Sequence, residues 1–117
     1  MKSKIILLFF FLASLSLAAQ KYNDSRSEDL NIAKYAIDAT NHRFASELVI
    51  AYKCDFNFVD KKDGMTLLDF VQSRIDEEKR LTPLAEQKIR DYENLYRAIV
   101  RNGGKHAKDL TLEELKQ

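Results

Sequence analysis

Two histidines, one cysteine and a run of side-chain oxygens between Asp55 and Asp63 are the residues of this chain whose types carry chemistry most readily. Asp55, Asn57, Asp60 and Asp63 offer oxygen ligands for a hard cation. Their spacing misplaces the glycine of a calcium loop and lacks its terminal glutamate, so their expected use is to bond loop backbone groups. Cys54 and His42 would form a nucleophile pair only if the thiol were ionised in an electropositive pocket. A lone free cysteine is expected instead to pack as a small buried apolar residue. His42 and His106 stand far apart, which argues against a shared metal, and His42 is expected to bond a backbone carbonyl. The carboxylates Asp76-Glu77-Glu78 adjoin Lys79-Arg80 and read as a solvated helix end. A hydrolase would need two carboxylates converging in a cleft with raised pKa. There is no Ser-His-Asp set, phosphate-binding glycine loop or zinc pattern, so no catalytic, metal or cofactor residues are assigned and an enzyme is not expected.

The size and N-terminus limit what must position these groups. At 117 residues the chain holds one domain at most. Lys2 and Lys4 precede an apolar run from Ile5 to Leu17, and Ser16-Leu17-Ala18 supplies the small-x-small pattern of a signal-peptidase site. The run is shorter than the roughly 20 residues of a membrane span. Residues 1–19 therefore read as a signal peptide cut after Ala18 or Ala19, with an uncleaved anchor as the alternative, and residues 20–117 as the domain. The expected location is periplasmic or secreted, with no membrane association after cleavage. Losing Lys2 and Lys4 leaves 17 basic against 18 acidic residues, a net charge of −1. That balance gives no nucleic-acid footprint. A lone cysteine makes no internal disulfide, so stability must come from packing.

Apolar spacing predicts an all-α domain of four main helices and a short C-terminal one, with a long loop at 53–65. Residues 21–28 are polar and read as frayed, with Ser27 as cap. The first helix is expected over Asp29–Ala39, with Leu30, Ala33, Ala36 and Ile37 on one face. Asn41 is expected to take a left-handed turn conformation. The second helix, Arg43–Tyr52, carries Phe44, Ala45, Leu48, Val49 and Tyr52. The third starts near Thr66 and runs to about Arg80. Thr82 reads as the cap of the fourth, with Pro83 at its first position, and Leu84–Arg101 as its body. Tyr92, Leu95, Tyr96, Ile99 and Val100 form its stripe. Asn102-Gly103-Gly104 stops it, and Thr111-Leu112-Glu113-Glu114 is a capping-box pattern.

With the helices placed, the centre of the chain resembles the ankyrin repeat. Leu48-Val49-Ile50 stands for that family's leucine run, and Lys53-Cys54-Asp55-Phe56-Asn57 for its Gly-Ala-Asp-apolar-Asn motif. Asp60 and Asp63-Gly64 mark the loop tip, and Thr66-Leu67-Leu68-Asp69 the Thr-Pro-Leu-His opening of the next helix. Asn41-His42 falls where the family often has Gly-His, and residues 99–105 are similar to the close of a last repeat. The resemblance covers about Asn31 to Lys105 as two degenerate units. Lys53 replaces a glycine, Leu67 a proline and Asp69 a histidine, and the second hairpin is longer than a repeat. Arrays usually need about three or more units, so the long helices and the 111–117 segment are expected to cap the pair.

The resemblance implies a binding face made of the loop tip and the adjoining helix. Phe58, Val59, Asp60, Lys61, Lys62 and Asp63 are the expected partner-binding residues, apolar groups rimmed by charge. The other reading folds Phe58 back under the loop. The expected function is an exported, non-enzymatic module that binds a protein partner, as a monomer or weak dimer. Alternatives are an immunity-type inhibitor of a toxin in the periplasm, which would bind one partner at nanomolar affinity or better, and a structural envelope protein.

Overall fold

The computed structural model describes residues 23–116. The proposed signal segment and its cleavage site lie outside these residues. Five α-helices form the described chain, with no strand among the described residues: α1 (Asn23–Asp38), α2 (His42–Ile50), α3 (Leu67–Lys79), α4 (Glu86–Arg101) and α5 (Leu112–Leu115), with a 3-10 turn at Ala107–Asp109. The fold is all-α, as the apolar spacing predicts.

The helices pair as two hairpins set side by side, α1 with α2 and α3 with α4, so that α1 lies against α3 and α2 against α4. Leu30, Ala33 and Ile37 of α1 meet Leu48 and Val49 of α2, Leu67, Val71 and Ile75 of α3, and Tyr92, Leu95 and Ile99 of α4 in one core. Phe56 and Phe58 of the 51–66 loop belong to the same cluster. Polar contacts fix the rim. Arg74 on α3 forks onto Asp38 of α1 at 2.7 and 2.9 Å and lays its guanidinium 4.1 Å from the Phe70 ring centre. Lys88 and Glu78 join the α3–α4 hairpin at 3.1 Å.

The helix ends depart from the expected ones for local reasons. α1 begins at Asn23, six residues before Asp29, and Ser27 is not its cap. Its early turns are held by tertiary contacts, with Arg26 over the Phe58 ring at 3.9 Å and Asp29 accepting from the Cys54 thiol at 4.0 Å. The left-handed residue of the α1–α2 turn is Thr40 (φ +63) rather than Asn41. The amides of Thr40 and Asn41 close α1 on Ile37 and Ala36, which leaves the Asn41 side chain to cap α2 by accepting from the Phe44 amide. α2 stops at Ile50, because the amides of Ala51 and Tyr52 both turn onto the Glu47 carbonyl and Lys53 follows at φ +53. Tyr52 is consequently half exposed instead of packed. α4 starts at Glu86, not at Pro83, and Thr82 caps nothing. Leu81 and Leu84 are both about half exposed, and the first core residue of α4 is Ile89, so nothing buried draws the helix back to Pro83.

Gly103 (φ +92) ends α4 with paired bonds, Gly103 N–H to Val100 and Gly104 N–H to Ile99. A Cβ at Gly104 would overlap Ile99 Cγ2, so this glycine is set by close approach and not by backbone angle. Asn57 reaches across to this segment. It donates to the Gly103 carbonyl and accepts from the Lys105 amide, both at 2.8 Å. Beyond it Leu110 is buried, and Thr111 and Glu114 complete the expected capping box of α5.

Candidate functional site

The expected partner-binding residues separate into an inner and an outer set. Phe58 is 7% exposed and belongs to the core, which corrects its placement at an apolar tip. Asp60 is buried too, and Val59 half buried. The exposed tip is charged: Lys61, Lys62 and Asp63. The physical reason is closure of the loop on itself. The Asp60 amide donates to the Met65 carbonyl at 2.9 Å and the Gly64 amide to the Asp60 carbonyl at 2.7 Å. Asp60 Oδ1 accepts from the Lys62 amide and Asp63 Oδ1 from the Met65 amide, two turns in which a carboxylate satisfies backbone two residues ahead. Gly64, at φ +74, supplies the one conformation in the tip that favours glycine.

α1 fixes this tip from below. Lys34 Nζ lies 2.7 Å from Asp60 Oδ2 and 2.7 Å from Asp63 Oδ2, with only 11% of its side chain exposed. Burial pushes the Asp60 carboxyl up, but the Lys34 ammonium and the Lys62 amide outweigh it and hold the group below its ordinary range. Lys62 Nζ donates to Asn31 Oδ1 at 2.7 Å. Tyr35, one turn along from Asn31, is 77% exposed, and Ile32 is 46% exposed. The pinned charged tip thus adjoins a helix face that carries an aromatic and an aliphatic side chain in water.

A second polar cluster has no counterpart in the expectations. His106 Nδ1 is 2.7 Å from Asp69 Oδ1, and Tyr96 Oη is 2.7 Å from His106 Nε2. The residue types are those of a proton relay. Every group is spent on structure, however. Asp69 also accepts from the Thr66 amide in the α3 capping box and from the Ala107 amide, while Thr66 Oγ1 donates to the Lys105 carbonyl. Burial raises the Asp69 carboxyl, yet the His106 ring and the two amides prevail and leave it below its ordinary range. These contacts lock the 105–107 segment to the start of α3. Sequence spacing could not reveal the cluster, since 37 residues separate its acid from its histidine. The one available signal is Asp69 itself, three residues after Thr66, the pattern of a capping box.

His42 does not make the expected bond through Nε2, which is buried with no hydrogen-bond partner; its ring stacks on Tyr92 at 4.9 Å between centroids. Cys54 is half buried rather than fully so, with its thiol on Asp29. Burial, then the neighbouring Glu28, push the Asp29 carboxyl up to about 6. This raised carboxyl sits on α1, outside the α3–α4 hairpin. Among the described residues no group of three histidine, cysteine or acidic side chains could hold a metal ion.

Asp29 gives a stability prediction with a definite sign. Its folded pKa lies above the unfolded value of 3.8, so the fold favours the proton. That contribution is present below about pH 4 and lost as pH rises through 6. Ionised Asp29 costs on the order of 1–2 kcal/mol at pH 7 once solvent screening of a half-buried group is allowed for. Asp29→Asn should therefore raise the melting temperature at pH 7 and match the parent at pH 4. A gap of equal size at both pH values in calorimetry would contradict the assignment.

No protein-family profile, curated protein or solved structure matches this chain. Among the described residues no helix is long and apolar enough to cross a membrane.

Proposed function

We propose that the chain is an exported, non-enzymatic protein-binding module built as an ankyrin-like pair of helical hairpins. The observation that carries this reading is Tyr35, 77% exposed on α1 beside a loop tip clamped by Lys34. A rigid surface that presents an aromatic with charged neighbours is what protein interfaces use, because little side-chain order remains to be imposed on binding. Lys61, Lys62 and Asp63 supply the polar rim, and Ile32 extends the apolar contact. Phe58, Val59 and Asp60 contribute from beneath, as the support that holds the rim in place.

Three features favour the ankyrin-like version. Lys53 takes φ +53 at the position where the family has glycine. Asn57 bonds the segment after α4, which suits a loop asparagine that ties one unit to the next. The hairpins also lie side by side in chain order. The 105–110 segment, with Leu110 buried, then serves as the cap at the α3–α4 end in place of the expected 111–117 segment, whose Leu112 and Leu115 are exposed.

The test is capture of partners from envelope and culture fluid of the native host, using the parent and a Tyr35→Ala, Lys61→Ala, Lys62→Ala variant. All three side chains are exposed, so the variant should keep the parent's melting temperature. One dominant protein captured by the parent and at least tenfold depleted with the variant is the expected result. Equal capture by both proteins would exclude this face, and no specific capture by either would remove the binding reading.

A further inference from the structure

Asn102-Gly103 is the one place in the sequence where an asparagine precedes a glycine. Such a step is chemically reactive, because glycine has no Cβ to shield its amide nitrogen from the side-chain amide one residue back. Here it stands at the end of α4, and Asn102 is exposed to water. Nothing lies within 4 Å of the point where a Gly103 Cβ would stand, so no packed side chain covers the glycine.

Hydrogen bonds restrain the pair instead. Asn102 Nδ2 donates to the Ala98 carbonyl at 2.8 Å, which turns the side-chain amide back along the helix. The Gly103 amide donates to the Val100 carbonyl at 3.0 Å, so the nitrogen that would attack is engaged through its own proton. Asn57 clamps the same segment from the loop, by its bonds to the Gly103 carbonyl and the Lys105 amide. Both reacting groups must leave their helix partners before they can meet. A helix end is where such local opening is easiest.

We propose that Asn102 is a deamidation site held shut by the α4 cap, and that its conversion loosens the junction between α4 and the 105–110 segment. When the cap opens, the Gly103 nitrogen loses its proton and attacks Asn102 Cγ. The N–Cγ bond forms, the Cγ–Nδ2 bond breaks and ammonia leaves with the proton. Water then opens the five-membered imide at either carbonyl, to aspartate or to isoaspartate. Water is the only co-reactant, and the loss of ammonia makes the change run one way. An aspartate has no donor for the Ala98 carbonyl and sets a negative charge against the negative end of the α4 dipole. An isoaspartate inserts a methylene into the main chain ahead of Gly103, which shifts the Gly103 and Gly104 amides out of register with Val100 and Ile99. None of this involves the Tyr35 surface, so the inference stands apart from the binding reading.

The experiment follows residue 102 over time at pH 7 by peptide mapping that separates asparagine, aspartate and isoaspartate. The folded parent is compared with the same chain in concentrated guanidinium chloride and with folded Asn57→Ala. Opening two hydrogen bonds should make the folded parent about thirtyfold slower than the unfolded chain. Asn57→Ala, without the clamp, should convert about fivefold faster than the parent. Circular dichroism checks that this variant is folded; if it is not, Asn57→Asp, which keeps the acceptor for Lys105 and loses the bond to Gly103, replaces it. Asn102→Asp, one of the two products made directly, should melt about 5 °C below the parent, with faster exchange of the Gly103 and Gly104 amides. Equal rates in the folded and unfolded chain would overturn the gate, and so would an Asn57 variant that converts no faster than the parent. No conversion in guanidinium chloride would overturn the site itself. An Asn102→Asp protein with the parent's melting and exchange, together with an isoaspartate product that shares them, would overturn the effect on the junction.

Discussion

Phe58→Ala should unfold this domain at temperatures where the parent is folded. The ring is 7% exposed within the common core and carries the Arg26 guanidinium on one face. Truncating a buried phenylalanine costs about 3–5 kcal/mol, from lost transfer energy and the cavity left behind. A domain of this size has about 5–10 kcal/mol in total and loses about 4–8 °C for each kcal/mol. A fall of about 15–30 °C in the midpoint followed by circular dichroism is therefore expected. Val59→Ala, at a half-buried position, should cost no more than about 1.5 kcal/mol. If Phe58→Ala instead melted with the parent, the ring would be serving a partner and not the core. The same reasoning rules out Phe58→Ala as a test of binding, because any lost contact would be confounded with unfolding. Tyr35 carries no such burden.

The difference between Phe58 and Tyr35 shows where sequence reading succeeds and where it stops. Apolar spacing is a local signal, and it located four main helices, the 53–65 loop and the buried faces through Leu30, Leu48, Val71 and Leu95. Phe58 has no helical periodicity around it. Its burial depends on α1 reaching back to Asn23, so that Arg26 lies over the ring. Residues 23–28 are too polar to predict a helix by themselves, and their helical state follows from contacts with a loop some thirty residues away. The clamp of Lys34 on Asp60 and Asp63 is equally non-local. Turn chemistry was legible at Asp63-Gly64, Gly103 and Thr111, where residue type dictates geometry. It was misplaced at Thr40 and Pro83. There a neighbouring requirement decided the outcome: Asn41 was needed as a cap, and Ile89 rather than Leu84 was the first side chain to find a core. The exposed face of α1 was written in Ile32 and Tyr35, but a helix with Leu30, Ala33 and Ile37 inward leaves those positions without any pattern that marks function.

Asp69 carries the second large expected effect, and it separates charge from hydrogen bonding. One carboxylate accepts from His106 at 2.7 Å and from the amides of Thr66 and Ala107 at 3.1 Å each. Asp69→Ala leaves all three donors without it and removes half of the α3 capping box, for an expected loss of about 2–4 kcal/mol. Asp69→Asn retains one acceptor oxygen and should lose less. The pH dependence then identifies what the charge contributes. Because the folded Asp69 carboxyl lies below its ordinary range, its stabilisation is fully present above the unfolded pKa of 3.8 and is lost as pH falls through the folded value. The gap between parent and Asp69→Asn should thus be widest near pH 7 and narrow below pH 4. Asp60, also held low, steepens the same acid limb in both proteins, while Asp29 works in the opposite direction above it. Measuring both proteins in the Asp29→Asn background removes that opposition and leaves an acid limb set by groups held low. A gap between them that stayed constant from pH 7 to pH 3 would show that Asp69 acts through hydrogen-bond geometry alone. A narrowing gap would assign the tie between α3 and the 105–107 segment to an ionised carboxylate, and make acid the condition under which this end of the domain opens first.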